Sequence, residues 1–316
     1  MRVLFAGTPA VAVPSLERLA ADGHEIVAVL TREDAPTGRK RVPTPSPVAA
    51  RAAELGLPLI HANRIDATAQ DAIRRAAPDV AAIVAYGGLV PAEALAIPRH
   101  GWVNLHFSLL PAWRGAAPVQ HAIIHGDEIT GAVTFALEEG LDTGPVFGTL
   151  TEAIGPDDTA GGLLGRLAVG GSVLLAQTLA GIDAGRLVPV PQSGDVSHAP
   201  KLGLQDGRVD WSQPALAIRR RINGTTPEPG AWTTWNGQRF KLGPVGPEAG
   251  ERGLPPGEVR IVPGRSPQVL VGTGSHAVRL DTVQPAGKKL MSAADWARGL
   301  GGAPASAGTA TRVVFE

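Results

Sequence analysis

Three polar side chains with complementary chemistry stand out in the first half of this 316-residue chain. Asn104 and His106 lie two positions apart in an apolar stretch, and Asp142 lies in a short Leu-Asp-Thr-Gly sequence. Because successive side chains of a strand point to opposite faces, a strand here places Asn104 and His106 on one face. An imidazole exchanges protons near neutral pH, and a neighbouring carboxylate can orient or charge it. The three residues form a candidate acid–base site, although Asn104 and His106 alone are equally compatible with a hydrogen-bonded structural pair.

Other motifs in the chain carry weaker signals. Gly7-Thr8-Pro9 follows the first apolar run, but it lacks the G-x-G-x-x-G pattern of dinucleotide-binding turns, so a tight turn is favoured. His121 and His125 have the spacing of a metal pair on a helix, yet the Glu of H-E-x-x-H and a third ligand are missing, so no metal is expected. Ser108 lacks the G-x-S-x-G elbow of hydrolase nucleophiles. The absence of cysteine excludes thiolate nucleophiles, disulfides and Cys-ligated zinc.

The composition is typical of a folded globular protein. Hydrophobic residues make up 44% and charged residues 18% of the chain, which argues against disorder. No apolar run approaches the ~20 residues of a membrane span, and the N-terminal run is too short for a secretory signal, so we expect a cytoplasmic protein without membrane contact. The net charge is zero, but residues 205–316 carry 14 basic against 9 acidic side chains. This asymmetry fits a polyanion-binding module and ordinary variation between domains equally well.

The first 180 residues alternate strand-like runs with helical patterns. Apolar runs of strand length occur at Val3–Ala6, Glu25–Leu30 and Val80–Tyr86. Apolar residues at helical spacing, with Pro or Asp near their starts, occur at Pro14–Asp22, Pro47–Leu55 and Asp66–Ala77. This alternation predicts an α/β fold, with a Rossmann-like, mostly parallel sheet and helices on both faces. Ligands of such sheets bind beyond the carboxyl ends of the strands, where Asn104 and His106 would lie.

The character of the sequence changes after residue 187. The stretch Pro189–Asp195 is a linker by composition, and beyond it a helix is predicted around Pro214–Ile222. Short strands separated by turns are expected at Ala231–Trp235, Gln238–Leu242, Glu258–Val262, Gln268–Val271 and Ala277–Leu280. Such a series indicates a small β-barrel or sandwich. We therefore expect a first domain over residues 1–188, a linker over 189–206 and a second domain over 207–316.

Two basic segments are candidates for phosphate contacts. Arg39, Lys40 and Arg41 lie in an irregular loop, rich in Gly and Pro, after the second predicted strand. This loop is expected at the same sheet edge as the other strand ends, and its cations suit phosphate groups. Lys288 and Lys289 form a second basic segment in the C-terminal domain. A solvated run of charge is the simpler interpretation of either segment when its charge is considered alone.

Taken together, the motifs resemble those of a known family. The stretch from Asn104 and His106 through Ser108-Leu109-Leu110-Pro111, continued by Ala-Trp-Arg-Gly-Ala-Ala-Pro, is joined by the Leu-Asp-Thr-Gly sequence at Asp142. This combination resembles the signature of formyltetrahydrofolate-dependent formyltransferases, in particular the methionyl-tRNA formyltransferase family. Further similar segments, which extend the resemblance over nearly the whole chain, are Ala85-Tyr86-Gly87, residues 38–47, Val209-Asp210-Trp211-Ser212 and residues 285–292. Ala112 and the Arg39-Lys40-Arg41 run depart from the usual pattern of the family, where basic residues and an Arg-Gly-Lys-Lys type of run are common.

The resemblance implies a fold, an activity and a set of site residues. The implied fold is a Rossmann-like formyltransferase domain followed by an OB-like barrel that binds tRNA. The implied reaction transfers the formyl group of 10-formyltetrahydrofolate to the α-amino group of methionine on initiator tRNA, for translation initiation. It requires no metal and no covalent enzyme intermediate. Asn104 and a protonated His106 would stabilise the developing oxyanion, and Asp142 would raise the pKa of His106 and assist proton transfer.

The resemblance also implies binding residues and a monomeric enzyme in the cytoplasm. The folate co-substrate would lie against Tyr86, Gly87, Ser108, Leu109, Leu110 and Pro111. The tRNA would be contacted by Arg39, Lys40, Arg41, Lys288 and Lys289.

Three alternative functions make different demands on the sequence. A formyltransferase acting on a sugar-nucleotide amine would share the three catalytic residues and a small C-terminal domain, but it would have little use for two basic segments. A formyltetrahydrofolate hydrolase would use water as acceptor, which the basic loop disfavours. An RNA-binding module without catalysis would not need Asn104, His106 and Asp142 together.

If Arg39, Lys40 and Arg41 contact tRNA phosphates, their contribution is electrostatic and depends on salt. Each neutralised phosphate changes the slope of log affinity against log salt by roughly −0.7 to −0.9. We expect replacement of all three by Ala to weaken tRNA binding and to flatten this slope by about two units, while folate binding is nearly unchanged. Titrations of Met-tRNA at several salt concentrations measure the slope. An unaltered slope would remove the loop from the RNA site.

Overall fold

The computed structural model describes residues 1–37, 41–301 and 313–316. These residues form two compact units, each assembled from segments that are distant in sequence. The first unit comprises Met1–Pro118, Ile129–Ala153 and Leu164–Ala199. The second unit comprises Val119–Glu128, Ile154–Leu163 and Pro200–Glu316.

Nine strands and six helices precede residue 184 in the described part of the chain. The strands are β1 (Arg2–Gly7), β2 (Glu25–Thr31), β3 (Ala35–Thr37), β4 (Val42–Thr44), β5 (Leu59–His61), β6 (Val80–Val84), β7 (Trp102–His106), β8 (Ile129–Ala136) and β9 (Val146–Ala153). The helices are α1 (Val13–Ala21), α2 (Pro47–Glu54), α3 (Ala67–Ala76), α4 (Ala92–Leu95), α5 (Pro118–His125) and α6 (Ala160–Asp183). A short 3-10 turn at Ala10–Ala12 precedes α1.

Seven of these strands form one mostly parallel sheet, which confirms the predicted fold class. The spatial order is β5-β2-β1-β6-β7-β8-β9, with β8 and β9 antiparallel to their neighbours. The first five strands of this order are parallel because helices connect them across the sheet faces. The loop expected to be irregular differs from the prediction, since β3 and β4 pair as an antiparallel ribbon through Ala35–Thr44 and Thr37–Val42. Exposed threonines and a valine on these segments suit strand geometry despite the nearby prolines.

Burial and helix capping explain the sheet and the helices that cover it. Every residue of β6 is buried, as are five of the six residues of β1, which is the pattern of central strands with both faces covered. The Ser46 hydroxyl accepts a hydrogen bond from the Ala49 amide at the start of α2, and the Asp66 carboxylate accepts one from the Ala69 amide at the start of α3. Each of these side chains satisfies a backbone donor that the helix itself leaves free.

Helix α6 differs from the expectation that no segment of the chain is long and apolar enough to span a membrane. Its 24 residues reach the length and mean hydropathy of a membrane span, with a hydropathy of 1.4 over its most apolar window. Polar and small residues interrupt the apolar run, so counting continuous apolar residues missed it. Half of this window is buried inside the structure, as in the core helix of a globular protein.

The second unit contains the antiparallel strands predicted for the C-terminal region. They are β10 (Trp232–Trp235), β11 (Gln238–Leu242), β12 (Val245–Glu248), β13 (Glu258–Val262), β14 (Gln268–Val271), β15 (Ala277–Leu280), β16 (Thr282–Gln284), β17 (Met291–Ser292) and β18 (Val313–Val314). Helix α7 (Ala215–Gly224) confirms the predicted helix, and α8 (Ala293–Gly301) follows β17. The sequence predicted five of these strands and missed the others, which contain two to four residues each.

These strands form two sheets that join into a barrel-like arrangement. One sheet has the order β10-β11-β16-β17, and the other has the order β12-β15-β14-β13-β18. A single residue, Asp281, connects β15 to β16, and backbone hydrogen bonds between Thr234 and Glu316 connect the two sheets at the far side. The aromatic rings of Phe240, Trp296 and Phe315 pack inside, with centroids 5.0 to 6.0 Å apart. This apolar interior accounts for the predicted OB-like fold.

The expected linker is ordered over much of its length. Val190 exchanges two backbone hydrogen bonds of 2.8 Å with Val146, and Ala199 pairs with Arg114, so residues 190–199 belong to the first unit. Residues 200–203 carry no regular secondary structure, and Lys201 is exposed there. The junction between the two units therefore falls at the C-terminal side of the predicted linker.

We expect limited trypsin digestion to cut first near this junction, at Lys201, because it is the only Lys or Arg between residues 189 and 206. Mass spectrometry of the fragments identifies the cleavage site. Cleavage within residues 39–41 is recorded separately from cleavage at the junction. A Lys201→Gln variant is the matched control and should lose this cut alone. Early cleavage within residues 80–150 would contradict the expected division into two domains.

Candidate active site

Asn104 and His106 lie at the carboxyl end of β7, inside the seven-stranded sheet. Asn104 pairs with Phe135 of β8 and His106 with Val133, so both side chains project from the same face of β7. His106 is 7% exposed, whereas Asn104 is half-buried. Within residues 1–37, 41–301 and 313–316, no group hydrogen-bonds the Asn104 side chain. Its amide is therefore an available donor beside the imidazole.

The His106 ring is held between a backbone carbonyl and a carboxylate. Its Nε2 lies 3.1 Å from the Trp113 carbonyl oxygen, and its Nδ1 lies 3.8 Å from Oδ2 of Asp142. Because a carbonyl oxygen only accepts hydrogen bonds, Nε2 carries the hydrogen and donates it. The Phe135 ring packs edge-on at 6.4 Å between centroids. In the neutral ring, Nδ1 then presents its lone pair on the side of Asp142.

The family resemblance implied a protonated His106, whereas its surroundings in the structure lower the pKa of this residue. Burial lowers the pKa of His106 below its ordinary value, because removal of water penalises the charged imidazolium. The Asp142 carboxylate and the Trp113 carbonyl both act to raise this pKa, but burial has the larger effect. The Asp142 carboxylate therefore raises the pKa of His106 as expected, but the combined effect of burial and neighbours lowers this pKa. The resting imidazole is therefore neutral at neutral pH.

Asp142 is fixed by the segment that follows β7. Its Oδ2 accepts a 2.7 Å hydrogen bond from the Gly115 amide, and the residue is 8% exposed. Its backbone has a positive φ of 51°, a conformation that non-glycine residues rarely adopt. Gly115 itself has φ of 126°, and a Cβ there would lie 2.7 Å from the Ala199 carbonyl oxygen. Gly115 is thus required both by its backbone angle and by the close approach of residue 199.

The proposed folate-binding residues differ in what they expose. Tyr86 is buried, its hydroxyl donates to the Ala62 carbonyl and its own carbonyl accepts from the Thr8 hydroxyl, so the adjoining exposed Gly87 is the part of this strand end that a ligand can reach. Burial raises the pKa of the Tyr86 hydroxyl, which keeps it protonated. The Ser108 hydroxyl donates to the Ala112 carbonyl at 2.6 Å and shapes the turn after β7.

Leu109 and Leu110 contribute apolar surface to the same turn. Both side chains are half-buried, whereas Pro111 is buried. The turn therefore presents partly exposed apolar groups on the chain segment between His106 and the residues that hold it.

The basic candidates are distributed over both units. Arg39 and Lys40 lie outside the described residues. Arg41 is exposed and directly precedes β4 of the antiparallel ribbon. Lys288 and Lys289 are exposed in the second unit, in the turn between β16 and β17. The structure therefore brings Asn104, His106 and Asp142 together but does not by itself assign the cations to a ligand.

The histidine pair on α5 is engaged by backbone groups. His121 Nε2 lies 3.0 Å from the Pro200 carbonyl, and His125 Nδ1 lies 2.8 Å from the His121 carbonyl. The two rings stack with their centroids 5.7 Å apart. Over the part of the chain that the structure describes, no group of three or more His, Asp or Glu residues is arranged to hold a metal ion.

Sequence reasoning missed Gln192 and Ser197, which hold the active-site segments. The Ser197 hydroxyl accepts a 2.9 Å hydrogen bond from the Trp113 amide, and the Gln192 side chain contacts both Arg114 and the Asp142 backbone. Composition classed this region as a linker, so its side chains drew no attention. The sequence signal that could have indicated Gln192 was a polar side chain between prolines and a turn. This pattern is weak evidence when the fold is not known.

Two family models match the chain and define its class. The model described as "Formyl transferase" matches residues 1–179, and the model described as "Formyl transferase, C-terminal domain" matches residues 201–301. The first covers the sheet and the three clustered polar residues, and the second covers most of the barrel-like unit. The chain thus has the two domains of a formyltransferase.

Comparison with individual proteins narrows this class. Methionyl-tRNA formyltransferase from Paenarthrobacter aurescens is 68% identical over 316 residues, which cover 100% of both chains. The chain belongs to the methionyl-tRNA formyltransferase family, which confirms the resemblance seen in the sequence.

Two solved structures show the same fold at low identity. The HypX protein of Aquifex aeolicus in complex with tetrahydrofolic acid has a TM-score of 0.64 at 22% identity, covering 95% of this chain and 47% of that protein. Methionyl-tRNA formyltransferase from Clostridium thermocellum has a TM-score of 0.57 at 14% identity, covering 79% of this chain and 95% of its own.

We expect Asp142→Asn to lower the pKa of His106 further, because the carboxylate that favours the imidazolium is lost while burial remains. Asn also keeps an oxygen that can accept from Gly115. NMR titration of the His106 ring, assigned with His106→Gln, measures the change. Asp195→Asn, an exposed acid on the same unit, should leave the His106 titration as in the unmodified protein. A pKa that stays constant or rises in Asp142→Asn would contradict the assigned pair.

Proposed function

We propose that the chain transfers the formyl group of 10-formyltetrahydrofolate to the α-amino group of methionine esterified to initiator tRNA, for translation initiation. The observation that carries this proposal is the cluster of Asn104, His106 and Asp142 at the end of β7, with Nδ1 of His106 3.8 Å from Asp142. Membership of the family, at 68% identity over the full chain, supports the same reaction. In this proposal Asn104 is the oxyanion donor, His106 carries the proton and Asp142 stabilises the charged imidazole.

The residues present fit a folate co-substrate that carries a formyl group. The unpartnered Asn104 amide matches a carbonyl oxygen, which needs a donor. Half-buried Leu109 and Leu110 offer apolar surface to a flat ring system, and Gly87 offers backbone with no side chain in the way. Ser108 and Pro111 would hold the turn in shape, and Tyr86 would do the same for the strand end. The co-substrate supplies an activated formyl group attached to nitrogen.

Catalysis begins with attack of the amine on the formyl carbon. A new C–N bond forms while the electron pair of the C=O double bond moves onto the oxygen. Asn104 donates a hydrogen bond to that oxygen as its charge develops, and an oriented donor of this kind contributes roughly 10²- to 10³-fold in rate. The low exposure of His106 and Asp142 keeps water from weakening this interaction.

Proton transfer through His106 completes the reaction without any covalent enzyme intermediate. Its neutral Nδ1 accepts the proton that the attacking nitrogen must lose, which forms an imidazolium. The Trp113 carbonyl and the Asp142 carboxylate stabilise this cation, since both raise the pKa of His106. The same proton then passes from His106 to N10 of the folate as the C–N10 bond breaks and the carbonyl reforms. His106 therefore takes up one proton and releases one proton in each turnover.

The same proposal assigns the basic residues, the assembly and the location. Arg39, Lys40 and Arg41 would contact the acceptor end of the tRNA, and Lys288 and Lys289 would contact its backbone from the second unit. The exposure of Arg41 and of both lysines supports this role. We propose a monomer that works in the cytoplasm without membrane contact, in which α6 serves as a core helix.

The assay that tests the function supplies the formyl donor with one acceptor at a time. Met-tRNA, an amino-sugar nucleotide and buffer alone are compared, and the formylated product is identified by mass spectrometry. We expect formyl transfer only to Met-tRNA. Transfer to the sugar would support the alternative formyltransferase, which the full-length relatives do not favour, and release of formate in buffer alone would indicate a hydrolase.

In this assay we expect Asn104→Ala, His106→Ala and Asp142→Ala each to reduce the rate of formyl transfer to Met-tRNA by at least ~100-fold. This is the scale for loss of an oxyanion donor or an acid–base group. Circular dichroism should report an intact fold. His100→Ala is the matched control, because His100 is exposed on the first unit and should retain full activity. Nearly normal turnover in any two of the three variants would refute the site assignment.

A further inference from the structure

The Gln192 side chain connects two segments that the sequence separates widely. Its Nε2 donates hydrogen bonds of 2.8 Å to the Asp142 carbonyl and 2.8 Å to the Gly144 carbonyl. Its Oε1 accepts hydrogen bonds from Arg114, 2.7 Å from Nη2 and 3.2 Å from Nε. A primary amide has two donor hydrogens and one oxygen with two lone pairs, so these four contacts use its full capacity.

The two segments joined by Gln192 are those that hold the imidazole and the carboxylate. Residues 113–115 supply the Trp113 carbonyl to His106 and the Gly115 amide to Oδ2 of Asp142. The turn at Asp142 supplies the carboxylate itself. A change in the spacing of these segments would alter the distance between His106 and Asp142 directly.

Local backbone preferences do not favour this arrangement. Trp113 has φ of 60° and Asp142 has φ of 51°, a backbone region that non-glycine residues rarely adopt. Residues in these conformations persist when surrounding contacts hold them. Gln192 provides such contacts to the backbone of Asp142 and to the side chain of Arg114, which adjoins Trp113.

The backbone that carries Gln192 is itself anchored on both sides. Val190 exchanges two hydrogen bonds of 2.8 Å with Val146, and the Ala199 amide donates to the Arg114 carbonyl at 2.8 Å. The Gln192 side chain therefore extends from a fixed base.

We propose that Gln192 is a positioning residue that sets the Asp142 carboxylate against His106 by joining the Asp142 turn to Arg114. The proposal rests on the catalytic role assigned to Asp142 above. No other neutral side chain reproduces its contacts. Asn is shorter by one methylene, and Glu would place an oxygen against two carbonyl oxygens while keeping the contact with Arg114.

The test is a double-mutant cycle in the full-length enzyme. Gln192→Met keeps the length of the side chain and removes all four hydrogen bonds. We expect its kcat for formyl transfer to Met-tRNA to fall at least about tenfold, since small misplacements of reacting groups cost up to ~100-fold. The KM for 10-formyltetrahydrofolate should change less than about twofold, because the hydrogen bonds of Gln192 within the described residues go to Arg114, Asp142 and Gly144 and not to the turn at residues 108–111. Ser193→Ala, an exposed neighbour, is the control and should retain normal kcat.

The decisive comparison is made in the Asp142→Ala background. If Gln192 acts through the carboxylate of Asp142, Gln192→Met should reduce the residual kcat there by less than about threefold. If the losses in kcat from the two substitutions instead multiply in the double variant, Gln192 acts elsewhere and the proposal is overturned. Normal kcat in Gln192→Met alone would overturn it as well. If Gln192→Met does not fold, Gln192→Glu replaces it in the same double-mutant cycle. A small loss of kcat in the Asp142→Ala background then supports the proposal, and multiplied losses overturn it.

The same data separate this proposal from the assignment on which it rests. An unmodified enzyme that transfers no formyl group to Met-tRNA would contradict the proposed function. Normal kcat in Asp142→Ala would contradict the role of Asp142. Only an active enzyme with a strongly impaired Asp142→Ala variant tests Gln192 itself.

Discussion

Burial of the His106–Asp142 pair is the constraint on which the rest of the candidate active site depends. Removing water from an imidazole and a carboxylate is unfavourable unless each group is hydrogen-bonded. The Trp113 carbonyl satisfies the imidazole at 3.1 Å, and the Gly115 amide satisfies the carboxylate at 2.7 Å. Both partners come from one short segment after β7, so that segment must turn back over the end of the sheet. Trp113 has a positive φ of 60° within this segment, and Asp142 has one of 51° in its own turn.

The same burial determines the resting charge of the site. In the proposed mechanism, a protonated imidazole would already be a cation before the amine arrives, whereas a neutral one can accept the proton that the reaction releases. Burial favours the neutral form, and the adjacent carboxylate limits how far the pKa of His106 falls. A proton carrier needs this balance, because it must take up a proton and give it back within one reaction. The parallel sheet contributes by ending its strands where the site is built.

The segment over residues 190–199 shows how composition can mislead about structure. Its prolines and glycine resemble a flexible connection, yet Val190, Gln192, Ser197 and Ala199 all hydrogen-bond to the unit that contains the sheet. Proline in an extended segment is compatible with such pairing, because its neighbours still offer amides and carbonyls. Gln192, Ser197 and Ala199 bond to the Asp142 turn or to residues 113–115, whereas Val190 pairs with Val146 of β9. This segment, which belongs to the first unit, thereby helps to hold the turns that carry the candidate site.

The sequence alone determined the strands and helices with clear periodicity, the position of Asn104 and His106 on one face of β7, and the family. These features depend on side-chain periodicity within a few residues or on motifs that are contiguous in the chain. The sequence did not predict the short strands of the second unit or the length of α6, because their hydrophobic patterns are brief or interrupted. Only the tertiary structure decided that the pKa of His106 falls and that Gln192 joins two turns. Burial is a sum over neighbours from many segments, and the hydrogen bonds of Gln192 span 50 and 78 residues of sequence, so neither property can be read from local pattern.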